Sequence, residues 1–404
     1  MQQVKVVIKH DRAREVLWNN LSLPTNTEVM VSFSDFLRLR KLFDIDIKSE
    51  FEYSYDPNHW REEKMFGLSG HAELKSGFGN CTVNLVRESI KKGYDVRWVG
   101  RQYDCPDFAS LAHKEVPSDI AMVWHDQPRK EWFESPFKKN IAIVPFETTR
   151  IPESWVTRIN AMDALFVPCA QNVQMMRDSG IIIPIEVVRW GFNDEWFYEI
   201  EKPQRNTYVF GTVGSLSIRK GTDLLIRAFQ EAFPARQYPN VELLCKTSSN
   251  TYDFMVKEDK RIKVDMNAVN QSDLLNDFYK KIDCFVFSSR GEGFGLPPLE
   301  SMATGTPTIV TNWSGPVEYA NNDVAYMLDY EMTPASIFTN QLYKEDCGNW
   351  AEPNYNQLVS LLKYCYENQN EAKEKGKKAA KYAKENWTWN NKINEFIIAL
   401  DKHL

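Results

Sequence analysis

The sequence predicts an α/β protein made of two doubly wound halves, each a mostly parallel sheet covered by helices on both faces. Three observations lead there. Short apolar runs alternate with polar or helical stretches from Met65 onward, the rhythm of βαβ units. That rhythm stops at the polar stretch Glu201-Lys202-Pro203-Gln204-Arg205-Asn206 and then begins afresh. A chain of 404 residues also exceeds one ordinary core, so two domains of typical size are expected.

Residues 1–60 are the least regular part. They hold strand-like "VKVVIKH" and "EVMVSFS" around a polar gap at Pro24-Thr25-Asn26-Thr27, and are read as an atypical addition to the first half. From Met65 the strand "MFGLSG", the glycine-bearing turn "KSGFGN", and a helix with Val83, Val86 and Ile90 on one face lead through Gly93 to the strand "YDVRWVG", which is one βαβ unit. Strands follow at "DIAMVWH", "NIAIVPF", "DALFVP" and "IEVVRWG". The second half opens with the strand "YVFGTVG", the loop "SLSIRKG", and a helix that places Leu225, Ala228, Phe229 and Ala232 on one face. It continues through the strand "VELLCK", a helix over "SDLLNDFYKK", the strand "DCFVFSS", the turn "RGEGFGLPP", a short helix stopped by Gly305, and the strand "PTIVT", with a helical tail from Asn356. The expected division is 1–202 and 203–385, with 386–404 as a closing helix.

Composition narrows the class. With 43% hydrophobic, 26% charged and 13% aromatic residues, the chain is globular rather than disordered or fibrous. No apolar run reaches membrane-spanning length, Ile181-Ile182-Ile183 being stopped by Pro184, and "MQQVKVVIKHDRAR" lacks a signal peptide's apolar centre, so no transmembrane segment and a cytoplasmic location are expected. Seven scattered cysteines without a C-x-x-C pair indicate reduced thiols rather than disulfides or zinc. A net charge of −6 gives no overall field for a polyanion.

The sharpest chemical signal is "SSRGEGFGLPPLESMATGTP", Ser288 to Pro307. Gly291, Gly293 and Gly295 let the backbone pass close to a bound group, and Pro297-Pro298 start a helix whose N-terminus suits an anion. The turn follows a strand at the end where open α/β sheets bind ligands. Glu292 and Glu300, eight positions apart, can face one pocket and accept hydrogen bonds from sugar hydroxyls. The structural alternative is a surface turn with a helix-capping glutamate. In "VGSLSIRKGTDLLIRAF" the adjacent Arg219 and Lys220 stand where strand passes to helix, suited to a departing diphosphate.

These residues carry a resemblance. Glu292, Phe294-Gly295-Leu296-Pro297 and Glu300-Ser301-Met302-Ala303-Thr304-Gly305-Thr306-Pro307 are similar to the signature of the group 1 glycosyltransferases, the retaining family 4 of the GT-B fold. The resemblance runs over most of Met65 to Leu404. It implies two facing Rossmann-like domains with a cleft between them, a nucleotide-diphosphate sugar of UDP or GDP type as donor, no metal and no further cofactor, and a last helix crossing back to the first domain. It assigns Glu292 to the sugar, Glu300 to the ribose, and Gly293, Phe294, Gly295 and Leu296 to the donor. Ser215 stands where the family has an arginine, so Arg219 is expected to substitute, beside Lys220. Asn267-Ala268-Val269 falls where base contacts are made, which gives Asn267 and Val269 as donor residues. "SGFGN" resembles the family's first glycine loop, which makes Gly77, Phe78 and Gly79 a phosphate and acceptor loop. Thr82, where a third glycine or alanine would complete the dinucleotide fingerprint, counts against a nicotinamide enzyme. Glu147 occupies a position that often carries histidine near the transferred sugar, and His125 is a lesser candidate. "VVRWGFNDEWF" resembles the closing segment of the first domain.

Asp44-Ile45-Asp46 spells a D-x-D but lacks the context of a metal site. Lys373, Lys375, Lys377, Lys378, Lys381 and Lys384 form a solvated face beside Ala379, Ala380 and Ala383. Trp387 and Trp389 are expected to pack as the last helix returns. The alternatives kept are a GT-B-like epimerase using the donor alone, and a nucleic-acid-binding or DNA-base-modifying protein drawing on Arg129-Lys130 and Lys138-Lys139. The acceptor, whether glycan, lipid-linked, protein or modified nucleobase, and the oligomeric state are not legible.

Overall fold

The computed structural model describes residues 65–99, 116–247 and 259–404, the strands before residue 48, Gln102–Tyr103, and single positions from 108 to 114. The chain separates into two compact units, Met1–Lys64 and Met65–Leu404. In the first, β1 (Gln3–Lys9) lies between β4 (Glu28–Ser32) and β5 (Asp44–Ile47) in an antiparallel sheet, and β2 (Glu15–Trp18) pairs antiparallel with β3 (Leu21–Pro24). Asp44 and Asp46 are on β5, and their side chains lie outside the described residues, as does Cys105.

The second unit contains two parallel sheets. The first joins β6 (Met65–Ala72), β7 (Asp95–Trp98), β9 (Ala121–His125), β10 (Lys139–Ile143), β11 (Ala164–Val167) and β12 (Ile185–Val187) in the order β12-β11-β10-β9-β6-β7, and β8 (Gln102–Tyr103) pairs with β6. The second joins β13 (Tyr208–Val213), β14 (Val241–Lys246), β15 (Ile262–Asp265), β16 (Cys284–Phe287), β17 (Thr308–Thr311) and β18 (Tyr326–Leu328) in the order β15-β14-β13-β16-β17-β18. Strands β11, β16 and β17 are buried at every position, as expected where helices cover both faces of a parallel sheet.

The core follows from the apolar faces read in the sequence. Leu225, Ala228, Phe229 and Ala232 are all buried, and Phe233 stacks on Phe210 with centroids 5.4 Å apart. Val83 and Val86 are buried, but Ile90, in the last turn of the helix Gly77–Lys91, is 36% exposed; that helix buries the polar Asn80, Thr82, Asn84, Glu88 and Ser89 instead. The stretch "SDLLNDFYKK" is not one helix. It forms a 3-10 turn at Gln271–Asp273, a short helix Leu274–Asp277 and a second 3-10 turn at Tyr279–Lys281, broken at Phe278. Tertiary contacts override the local preference there: Phe278 and Tyr279 are fully buried while Asp277 is held by Lys246.

The tail is three helices, Tyr355–Glu367, Gln369–Asn386 and Trp389–His403. The lysines of the second are exposed, Lys375 being half-buried, beside the buried Ala379, Ala380 and Ala383. The last helix packs on Gly77–Lys91, where Phe396 meets Phe66 at 5.8 Å and Phe166 at 6.1 Å. Trp389 N–H donates to the Phe192 carbonyl and Phe192 N–H to that of Trp387, so backbone hydrogen bonds tie the start of the last helix to the first half.

Candidate active site

In the second sheet, β13 is flanked by β14 on one side and β16 on the other, so the chain's winding reverses between β13 and β16. Such a switch point leaves a crevice at the carboxyl ends of the two strands. The loop after β13 carries Ser215, Arg219 and Lys220, and the loop after β16 carries Glu292. Arg290 N–H donates to the Arg219 carbonyl at 2.7 Å and Ser288 Oγ to that of Gly221 at 3.1 Å. Gly221 has φ +65°, and a side chain there would run into the Ser288 carbonyl, so this close approach requires glycine.

A charged cluster results. Glu292 Oε1 accepts from Lys220 Nζ at 2.7 Å, from Ser289 Oγ at 2.6 Å and from Arg219 Nη1 at 3.2 Å. Arg219 Nη1 also donates to the Gly291 carbonyl at 2.8 Å and lies 3.8 Å from Glu147 Oε1 of the first half. Burial alone would raise the Glu292 carboxyl, but Lys220 and Arg219 outweigh it and hold it below its usual range. For Lys220 the balance goes the other way: burial, with Arg219 nearby, lowers the ammonium further than Glu292 lifts it. The 2.7 Å contact and the low Glu292 carboxyl together describe an ionised pair whose cation is poorly solvated, hence receptive to further negative charge. Burial, aided by Glu292 and opposed by Arg219, raises the Glu147 carboxyl.

Glu300 has a different setting. It lies in the helix Leu296–Ala303, 1% exposed, and accepts from Tyr279 Oη at 3.0 Å and from Gln271 Nε2. No cation lies among these partners, and burial pushes its carboxyl up to about 7 against those two hydrogen bonds. Gln271 N–H in turn donates to the Leu74 carbonyl of the first half at 3.0 Å. Gln271 and Tyr279 escape a reading by motif because the irregular turns that aim them do not follow helical spacing.

The glycines of the bend serve a purpose the sequence reading did not assign. A side chain at Gly291 would collide with the Glu147 carbonyl, and one at Gly293 with Pro145. The space left by these glycines is filled by the first half of the chain. Gly295, at φ +84°, hands the bend to the helix Leu296–Ala303, which has no side-chain cap. Ser314, at φ 61° and ψ −145°, a rare conformation for a non-glycine residue, donates from Oγ to the Glu292 carbonyl at 2.6 Å, and Tyr319 Oη donates to that of Gly295. Neither carried a signal beyond the Gly315-Pro316 turn beside them. Asn172 fixes the segment before Glu147, its Nδ2 donating to the Phe146 carbonyl at 3.1 Å.

On the facing side, Gly77, Phe78 and Gly79 form the first turn of the helix Gly77–Lys91 rather than a loop before it, and the N-cap Ser76 Oγ accepts from Gly79 N–H at 3.0 Å. The Phe78 ring lies against His125, tilted by 30° with centroids 4.0 Å apart. His125 is fully buried at the end of β9, its Nδ1 2.8 Å from Thr82 Oγ1, its Nε2 without a partner, and burial lowers it to about 3, so it is neutral. Trp190 links it to the bend, 5.6 Å from His125 and 5.7 Å from Phe294.

The structure thus brings Glu292, Lys220, Arg219 and Glu147 together, and Phe78 with His125. Ser215 contacts Ser217 at 3.3 Å, leaving Arg219 as the guanidinium beside Glu292. Asn267 and Val269 lie between β15 and Gln271, Asn267 exposed with its N–H on Asp265 Oδ1 at 3.0 Å and Val269 half-buried against the core. Arg129 pairs with Asp126, while Lys130 and Lys138 are exposed and Lys139 half-buried. Among the described residues no group of three His, Cys, Asp or Glu side chains is placed to hold a metal, and no helix is long and apolar enough to cross a membrane.

The family model "Glycosyl transferases group 1" matches residues 194–385. An uncharacterized glycosyltransferase of Methanocaldococcus jannaschii is 33% identical over 131 residues, 31% of this chain and 32% of that protein; the match therefore spans about a third of that relative's length. Sucrose-phosphate synthase from Thermosynechococcus elongatus superposes with a TM-score of 0.63 over 84% of this chain and 98% of its own at 14% identity. Anabaena HepE in complex with UDP-glucose gives 0.61 over 83% and 99% at 13% identity. Residues 194–385 thus match the group 1 glycosyl transferases, in a chain whose two parallel sheets form the GT-B fold.

Proposed function

We propose that this protein transfers a sugar from a nucleotide-diphosphate sugar to an acceptor hydroxyl, with retention of configuration and without a metal ion. The observation that carries the reading is the meeting of Lys220, Arg219 and Glu292 at the switch point, opposite Glu147 of the facing half. Glu292 engages both cations. A diphosphate entering the crevice competes for Lys220 and Arg219, which frees the Glu292 carboxylate to accept hydrogen bonds from sugar hydroxyls. As the glycosidic bond breaks, negative charge grows on the departing phosphate and positive charge on the sugar. Lys220 and Arg219 stabilise the first, and the acid pair Glu292 and Glu147 the second.

Glu300 is assigned to the ribose, whose hydroxyls would replace Gln271 or Tyr279 as its donors. A UDP-type donor is favoured by the likeness to the UDP-glucose complex of HepE, with GDP as the alternative base. Retention rests on the family match and implies attack from the face the leaving group vacates. The test is incubation with a panel of UDP- and GDP-sugars, reading thermal shifts and products by anomeric NMR. Transfer or hydrolysis with retained configuration is expected. Inversion, or a product that is an epimerised donor, would refute the assignment.

A further inference from the structure

The hairpin β19 (Tyr330–Pro334) and β20 (Asn349–Pro353), with the turn Phe338–Tyr343 between its strands, grows from the donor half yet packs on the other half. Asn349 makes a two-way backbone and side-chain pair with Thr149: the Asn349 carbonyl accepts from Thr149 N–H at 2.8 Å, and Asn349 N–H donates to Thr149 Oγ1 at 2.8 Å. Glu345 accepts from Ser154 N–H at 2.8 Å and from Ser154 Oγ at 2.6 Å, which caps the helix Glu153–Asn160 from outside its own half and complements its N-terminal dipole. Tyr343 lies 5.8 Å from Phe146 and 5.4 Å from Trp155, and Phe338 lies 6.0 Å from Phe146. These contacts bracket Glu147 on both sides.

The same strand grips the catalytic bend. Ala351 N–H donates to the Arg290 carbonyl at 2.9 Å, and Glu352 Oε1 accepts from Arg290 Nη2 at 2.8 Å. Arg290 immediately precedes Gly291 and Glu292. One short strand, Asn349 to Pro353, therefore holds both the segment that carries Glu147 and the loop that carries Glu292.

We propose that the hairpin 330–353 is a positioning element for the reaction, and that Thr149, Asn349 and Glu345 set Glu147 against Arg219 and Glu292. The inference rests on the catalytic reading above for its kinetic consequence but not for the anchoring itself. Gly348, at φ +68°, faces Thr149 Oγ1, and a side chain there would collide with it.

The experiment compares Gly348→Ala, Thr149→Val and Thr149→Ser with the wild type. Amide hydrogen exchange is followed over residues 145–155, together with UDP binding by calorimetry and hydrolysis of UDP-glucose, or of whichever panel sugar the wild type consumes. Thr149→Val and Gly348→Ala are expected to speed exchange over 145–155 and to lower kcat by about 10- to 100-fold, the scale of an ångström-level misplacement. UDP affinity should stay unchanged, and Thr149→Ser should restore both readouts. If Gly348→Ala does not fold, the two threonine variants carry the comparison. Unchanged exchange over 145–155 overturns the anchoring, and faster exchange with wild-type kcat overturns the positioning role. If the wild type consumes no nucleotide sugar, the proposed activity fails separately, and exchange alone decides the anchoring.

Discussion

Glu292 and Glu300 stand eight positions apart in one motif, yet occupy opposite electrostatic settings. Glu292 is on a bend surrounded by Lys220, Arg219 and Ser289, and its carboxyl is held low. Glu300 is one helical turn further in, against Tyr279 and Gln271, and its carboxyl rises to about 7. One acid is buried with countercharge and the other with neutral donors. Under the proposed function, environment rather than residue type divides the work: the ionised acid faces the reacting sugar, and the acid among neutral donors faces the ribose hydroxyls.

Removing the charge at the bend should have the largest effect. Lys220→Met is expected to lower kcat for sugar transfer or hydrolysis by roughly 100- to 1000-fold, the range for losing one preorganised stabiliser of a developing anion. Steady-state kinetics check it, and a kcat within a few-fold of wild type would remove Lys220 from the chemistry. At the other acid the loss should fall on binding: Glu300→Ala is expected to raise the donor KM about 10- to 100-fold, as for deleting a charge-assisted hydrogen bond, with kcat altered less. Arg219→Lys should cost about tenfold in kcat/KM, because an ammonium cannot offer a phosphate the planar, bidentate donor pair of a guanidinium.

The smallest expected effect is on stability. The Glu300 carboxyl is raised in the folded protein, from 4.5 to about 7. The native state thus binds more protons than the unfolded chain between those values, and stability falls as pH rises through that window. Full ionisation costs up to about 3 kcal/mol by linkage. Glu300→Gln removes that cost and loses part of a hydrogen bond, leaving a gain on the order of 1 kcal/mol at pH 8 and none at pH 5. Thermal melts at the two pH values read it, and an equal effect at both would contradict the assigned cause.

The two acids also mark how far the sequence could be read. The bend was legible because Gly295 and Pro297-Pro298 act locally, through backbone conformation. The second half's helix faces were legible for the same reason, since Leu225, Ala228 and Phe229 follow helical spacing. What surrounds each acid was less so. Tyr279 reaches Glu300 because the chain abandons helical geometry at Phe278, and Thr149 meets Asn349 across 200 positions of chain. In the sequence Gly291 and Gly293 suggest room for a ligand, and the structure places Glu147 and Pro145 against them. A glycine announces a close approach without naming what approaches.

Under the proposed function, Lys220 and Arg219 exchange Glu292 for a diphosphate. A crystal structure with UDP or GDP bound tests it most directly. Phosphate oxygens are expected within hydrogen-bond distance of Lys220 Nζ and the Arg219 guanidinium, with Glu292 turned toward the sugar position. A nucleotide bound away from the β13 and β16 loops, or one that leaves the 2.7 Å pair of Lys220 and Glu292 intact, would contradict it.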